Sequence, residues 1–117
     1  MTISDIKNIL DCMVLCGEDR LGTDINTADG ADMMSDVLAF ASEHGVLLTG
    51  LVNSQVVRTA EMMDITCIIF VRGKTPDQSI IDLAGNCGIV IMKTREKMFS
   101  ACGKLYEAGM RSGASGT

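Results

Sequence analysis

Five cysteines, one histidine, a pair of spaced carboxylates and three strand-end turns are the residues of this chain whose types suit chemistry. Cys12, Cys16, Cys67, Cys87 and Cys102 are odd in number and contain no Cys-x-x-Cys pair. A disulfide framework or a zinc site needs paired, regularly spaced cysteines. Cys12 and Cys16 lack a second pair, so a metal centre would need scattered ligands. The thiols read as small buried apolar side chains, and no metal or cofactor is expected. His44 stands at a helix stop with no nucleophile motif beside it, so Ser-His-Asp catalysis has no support. Asp32, Ser35 and Asp36 share a helical face at spacings of three and four. Paired carboxylates can bind a cation or move a proton. A helix N-terminus also attracts negative charge, and no third ligand accompanies these two.

The turns carry the other candidates. Gly73-Lys74-Thr75 follows a strand and opens a helix, as the end of a P-loop does. A P-loop needs a glycine five positions earlier, where backbone amides wrap the phosphates. Ile68 occupies that position, which excludes a nucleoside-triphosphate P-loop. A weaker anion site at this helix start remains open, beside the alternative of a capped helix with two solvated cations. Thr49-Gly50-Leu51-Val52-Asn53-Ser54 is a second such turn, with Arg58 one helical turn further on. Lys93-Thr94 is a third. All three fall at carboxyl ends of strands, the edge where open α/β sheets bind ligands. The candidate ligand-binding set is therefore Thr49, Gly50, Asn53, Ser54, Arg58, Arg72, Gly73, Lys74 and Thr94, with no catalytic residue.

The elements that position these turns follow from hydrophobic patterning. Apolar runs at 12–16, 46–49, 66–71 and 89–92 do not alternate with polar residues, as in strands buried on both faces. Amphipathic helices are expected between them. The first covers Ile3 to Leu10. Another opens at Asp29 or Asp32, runs to Glu43 and stops at His44-Gly45. A third runs from Ser54 to Met63. Thr75 caps a fourth, with Pro76 in its first position and Gln78 closing a capping box, ending at Asn86. Thr94 caps a fifth through Ala108. The stretch 17–31 is polar and turn-rich. It is either a functional loop or holds a short strand near 24–27. Alternating strands and helices predict a three-layer α/β/α sandwich with a mainly parallel sheet of four to five strands. Residues 1–110 form one domain, and the small polar segment 111–117 reads as a flexible tail.

Composition narrows the function classes. With 117 residues, 47% hydrophobic and 21% charged, the chain can bury one core and is not disordered. Fifteen acidic against ten basic residues, and 3% aromatic content, argue against nucleic-acid binding. No apolar run approaches the ~18 residues of a membrane span. The N-terminus lacks a basic cluster and reads as no signal peptide, so a cytoplasmic location is expected and no membrane partner.

The order of Asp32-Met33-Met34-Ser35-Asp36-Val37-Leu38, Leu47-Leu48-Thr49-Gly50, Ile69-Phe70-Val71-Arg72-Gly73-Lys74-Thr75-Pro76 and Met98-Phe99-Ser100-Ala101-Cys102 resembles the DRTGG domain family over roughly residues 5–110. That family is similar to the N-terminal domain of HPr kinase/phosphorylase. It also accompanies CBS domains in some pyrophosphatases and occurs in some phosphotransacetylases. Two of its motifs are altered here. The family's Gly-Asp-Arg aligns with Gly50-Leu51-Val52, and its Thr-Gly-Gly with Val71-Arg72-Gly73. The resemblance implies a dimerising α/β/α domain with a regulatory or ligand-sensing part and no kinase activity of its own. The first expectation is a non-enzymatic regulatory or protein-interaction homodimer. The second is a sensor of a small anionic metabolite or nucleotide at the carboxyl edge of the sheet. The third, from short relatives encoded near iron hydrogenase genes, is an accessory factor whose partner is a redox metalloenzyme.

Overall fold

A computed structural model describes residues 1–113. Helix α1 covers Ile3–Leu10 and leads into strand β1, Met13–Cys16. A short 3₁₀ turn at Glu18–Arg20 precedes β2, Ala28–Gly30. Three strand-and-helix steps follow: α2 (Met34–Phe40), β3 (Val46–Thr49), α3 (Ser54–Met62), β4 (Cys67–Phe70), α4 (Gln78–Asn86) and β5 (Val90–Lys93). Helix α5, Met98–Glu107, completes the fold. The sheet order is β1-β5-β4-β3-β2. Strands β2 to β5 are parallel and β1 pairs antiparallel with β5.

The apolar runs form strands because both sheet faces are covered. Val46, Leu48, Cys67, Ile69, Val90 and Met92 pack on the side of Ile3, Ile6 and Leu10 from α1 and Ala101 and Leu105 from α5. Leu47, Ile68, Phe70 and Ile91 pack on the opposite side, against α2, α3 and α4. Successive side chains point to opposite faces, so a run apolar at every position satisfies two cores at once. The three parallel steps each move one strand along the sheet in the same direction. Their helices therefore share a face, which gives the three-layer α/β/α sandwich.

Several boundaries differ from the sequence expectation. The short strand lies at 28–30, not 24–27. Ile25 instead plugs the core as a single side chain, held by its amide on the Met1 carbonyl at 2.7 Å. Helix α2 stops at Phe40, not at Glu43 or His44. His44 follows with a left-handed φ of 58°. Asp77, not Thr75, caps α4: its carboxylate accepts from the Ile80 amide, so Pro76 lies before the helix. Thr94 does not cap α5 either, because the helix starts at Met98 with Lys97 at the cap position. Of the segment expected as a tail, Arg111 pairs with Thr27 beside β2, and residues 114–117 lie outside the described residues.

Candidate functional site

At the carboxyl edge of the parallel strands, four successive turns meet. After β2 the chain turns through Asp32. Its Oδ1 accepts from the Gly50 amide at 2.7 Å and from the Thr49 hydroxyl at 3.3 Å. The Thr49 hydroxyl in turn accepts from the Leu51 amide at 3.1 Å, so this buried threonine holds the turn after β3. After β4, Arg72 adopts a left-handed φ of 63° and Gly73 one of 69°. That conformation is costly for arginine. Two backbone bonds hold it, Arg72 N–H to the Glu96 carbonyl and Gly73 N–H to the Thr94 carbonyl, both 2.8 Å.

The bent backbone sends two cations back over β3. The Arg72 guanidinium lies directly against Gly50, where any β-carbon would collide with it. Its Nη2 stands 3.9 Å from Asp32 Oδ2. Lys74 Nζ donates to the Gly50 carbonyl at 2.9 Å. Gly50 is thus a close-approach glycine: a β-carbon there would push the end of the Arg72 side chain aside. The Arg72–Asp32 pair is loose and about half exposed, so it adds little stability. With 41% of its side-chain surface exposed, Arg72 keeps donors available to a ligand.

Of the candidate residues, Thr49, Gly50, Arg72 and Lys74 are brought together. Gly73 and Thr94 join their turns through one backbone bond. Thr94 is buried and its hydroxyl donates to the Leu10 carbonyl at 2.7 Å, a structural commitment. Asn53 caps α3 by accepting from the Val56 amide at 3.2 Å, and Ser54 is the exposed first residue of that helix. Arg58 is exposed on α3 and lies near Cys87 and Glu61, with no bond to the cluster. The start of α4 is less suited to an anion than expected, since the Asp77 carboxylate occupies it. Bonds from the Ser79 hydroxyl and the Ile80 amide hold that carboxyl below the usual range.

Asp32 is the residue that sequence reasoning misplaced. It lies before α2, not on a helical face with Ser35 and Asp36. Its signal was position: an aspartate just past β2 faces the turns of the neighbouring strands. A strand placed at 24–27 hides that. The thiols show no matching arrangement. Burial pushes Cys12 up to about 12 and raises Cys16, Cys67 and Cys102. A hydrogen bond with Glu61 raises Cys87. Among the described residues no three His, Cys, Asp or Glu side chains gather to hold a metal. His44 lies before β3, at the opposite edge of the sheet, and no described helix is long and apolar enough to cross a membrane.

No protein-family model matches the chain, and no curated protein does. A solved structure does. The chain shares its fold with part of a pyrophosphatase regulatory region. That structure is the CBS and DRTGG domains of the regulatory region of Clostridium perfringens pyrophosphatase, complexed with activator, diadenosine tetraphosphate. The TM-score is 0.71 at 20% identity, over 97% of this chain. The match takes in 51% of the pyrophosphatase chain, so this chain spans about half its length. At that identity the likeness is one of fold.

Proposed function

We propose that this chain is a non-catalytic regulatory domain of the DRTGG type, and that it senses a nucleotide or a related anion at the carboxyl edge of its sheet. The observation that carries this reading is the strained Arg72 turn. It holds a guanidinium against Gly50 and sets Lys74 beside it, where an enzyme would need a nucleophile and a base. Backbone strain at a strand end is spent on placing charge, which is what anion recognition requires. The fold shared with a regulatory region complexed with a nucleotide activator favours the same reading. The start of α3, capped by the neutral Asn53, adds a helix N-terminus to that edge. The loose Asp32 contact leaves Arg72 free to turn to a ligand.

The test is a calorimetric titration with mononucleotides and dinucleoside polyphosphates. The tightest binder is then titrated against Arg72→Ala, with Glu18→Ala as control. Losing one charge-assisted contact should cost about 1.5–3 kcal/mol of binding. Equal affinity in both variants, or no binding by any nucleotide, would remove the reading.

A homodimer is the second part of the proposal. Phe99 is 90% exposed on α5, and Tyr106, seven residues on, shares its helical face at 60%. A second copy would cover that face. Light scattering of Phe99→Asp beside the parent protein checks it, with monomer expected only for the variant.

A further inference from the structure

The basic residues of this acidic chain are unevenly placed. Arg72 and Lys74 lie on the turn after β4, Lys93 ends β5, and Arg95 and Lys97 lie on the turn that follows it. They are five of ten lysines and arginines in a chain of net charge −5. Arg72 and Lys74 are held over Gly50, as described above. Of the other three, Lys93 and Arg95 line a groove of about 570 Å³ whose wall also includes Gly73 and Glu96, and Lys97 follows at the start of α5.

The two groups of cations are mechanically joined. Arg72 and Gly73 donate their amides to carbonyls of the β5 turn, so the two turns are bonded to each other. Lys93 Nζ donates to the Thr75 hydroxyl at 2.8 Å, which leans it toward Lys74. Gly73 has no side chain to separate the groups, and Arg95 Cγ lies about where a side chain would begin to touch, 4.0 Å away. Two carboxylates border the groove. Glu96 is bonded to Lys104 Nζ at 2.9 Å, and Asp11 lines the groove together with Lys93 and Arg95. Among the described residues Lys93, Arg95 and Lys97 have no ion-pair partner. Clustered like charges repel unless a counter-charge is supplied, so a row of them on joined turns favours an anion with several negative groups.

We infer that the Lys93–Arg95 groove is a second anion subsite, continuous with the Arg72–Lys74 site, and that the strip takes a linear polyanion such as an oligophosphate chain. This inference rests on the reading proposed above and adds the class of ligand: the chain length of the phosphate, not only its charge, decides affinity. A single phosphate reaches one group of cations. A longer chain would reach both.

Isothermal titration with inorganic orthophosphate, pyrophosphate and tripolyphosphate, at one fixed ionic strength, tests it. The proteins are the parent chain, Arg95→Ala, Lys93→Ala, Arg72→Ala and, as a remote cation control, Arg111→Ala. Thermal unfolding confirms that each variant folds. Affinity is expected to rise with chain length. Arg95→Ala and Lys93→Ala should each bind tripolyphosphate about tenfold more weakly, the loss of one charged contact. Arg111→Ala should stay within about twofold of the parent. Parent-like binding by Arg95→Ala and Lys93→Ala, with only Arg72→Ala weakened, would overturn the second subsite and leave the proposed function standing. A loss in Arg111→Ala as large as in Arg95→Ala would reduce the strip to general charge attraction and overturn it. No binding of any of the three phosphates by the parent chain would overturn the strip, whereas the proposed function falls only if the nucleotides also fail to bind.

Discussion

Gly50 and Arg72 illustrate how one residue leaves room for another far along the chain. In the sequence Gly50 is a glycine after a strand, and Arg72 is a solvated cation. In the fold the guanidinium lies on the Gly50 Cα, and the Arg72 backbone is left-handed to allow it. Gly50→Ala should therefore displace the flexible, part-exposed Arg72 side chain from the turn, at a cost to stability of no more than about 1 kcal/mol. The same substitution in an Arg72→Ala background should cost much less, because the atoms it strikes are gone. Urea unfolding of both singles and the double checks this. Equal cost in both backgrounds would mean that the strain lies in the Gly50 backbone and not in the contact. Asp32 belongs to the same group of residues, yet its sequence neighbours Ser35 and Asp36 suggest a different, helical partnership. Only the pairing of β2 with β3 sets its carboxylate on the Gly50 amide.

At the scale of elements, helix starts were the least legible. Thr75-Pro76-Asp77-Gln78 offers two capping residues two positions apart. Proline fits the first helical position, which favoured Thr75. The structure uses Asp77, and Pro76 is buried in the turn instead. Thr94 shows the same competition at the next turn. Its hydroxyl accepts from the Glu96 amide at 3.2 Å, a local bond of the capping kind, but it donates to the Leu10 carbonyl of α1. It ties the β5 turn to the end of the first helix. Thr94→Val keeps the shape and removes both bonds, so it should cost about 1–3 kcal/mol through the polar groups left unpaired. Chemical denaturation measures this. A change below about 0.5 kcal/mol, the scale of an ordinary surface substitution, would show that water replaces the hydroxyl.

For the whole molecule, the buried thiols make stability depend on pH. Burial raises Cys12 from 9.0 to about 12 and raises Cys67 as well. Below pH 9 both folded and unfolded chains keep these protons, and the thiols have no effect on pH dependence. Between pH 9 and 12 the unfolded chain releases the Cys12 proton that the folded chain retains. The unfolded state then binds fewer protons, so stability falls as pH rises. The slope per thiol reaches about 1.4 kcal/mol per pH unit. Melting curves across this range should show the fall, and a shallower one in Cys12→Ala. Identical slopes would mean that solvent reaches the Cys12 thiol.

Length, composition and the four apolar runs determined a three-layer α/β/α fold with a mainly parallel sheet. Strands apolar at every position need cover on both faces, and only that architecture supplies it. The helix between each pair of strands was legible for the same reason, since a one-sided apolar stripe must face the sheet. The sequence also placed Gly50, Arg72, Gly73 and Lys74 at carboxyl ends of strands. What only the tertiary structure decided was which turns touch. β2 joined β3 through three residues with no apolar run of their own, and that brought Asp32 to Gly50. The β4 turn bent into a left-handed conformation because the β5 turn offered carbonyls to hold it. Contacts between turns depend on sheet order and register, which are set by the packing of the whole core and leave no periodic trace in the chain.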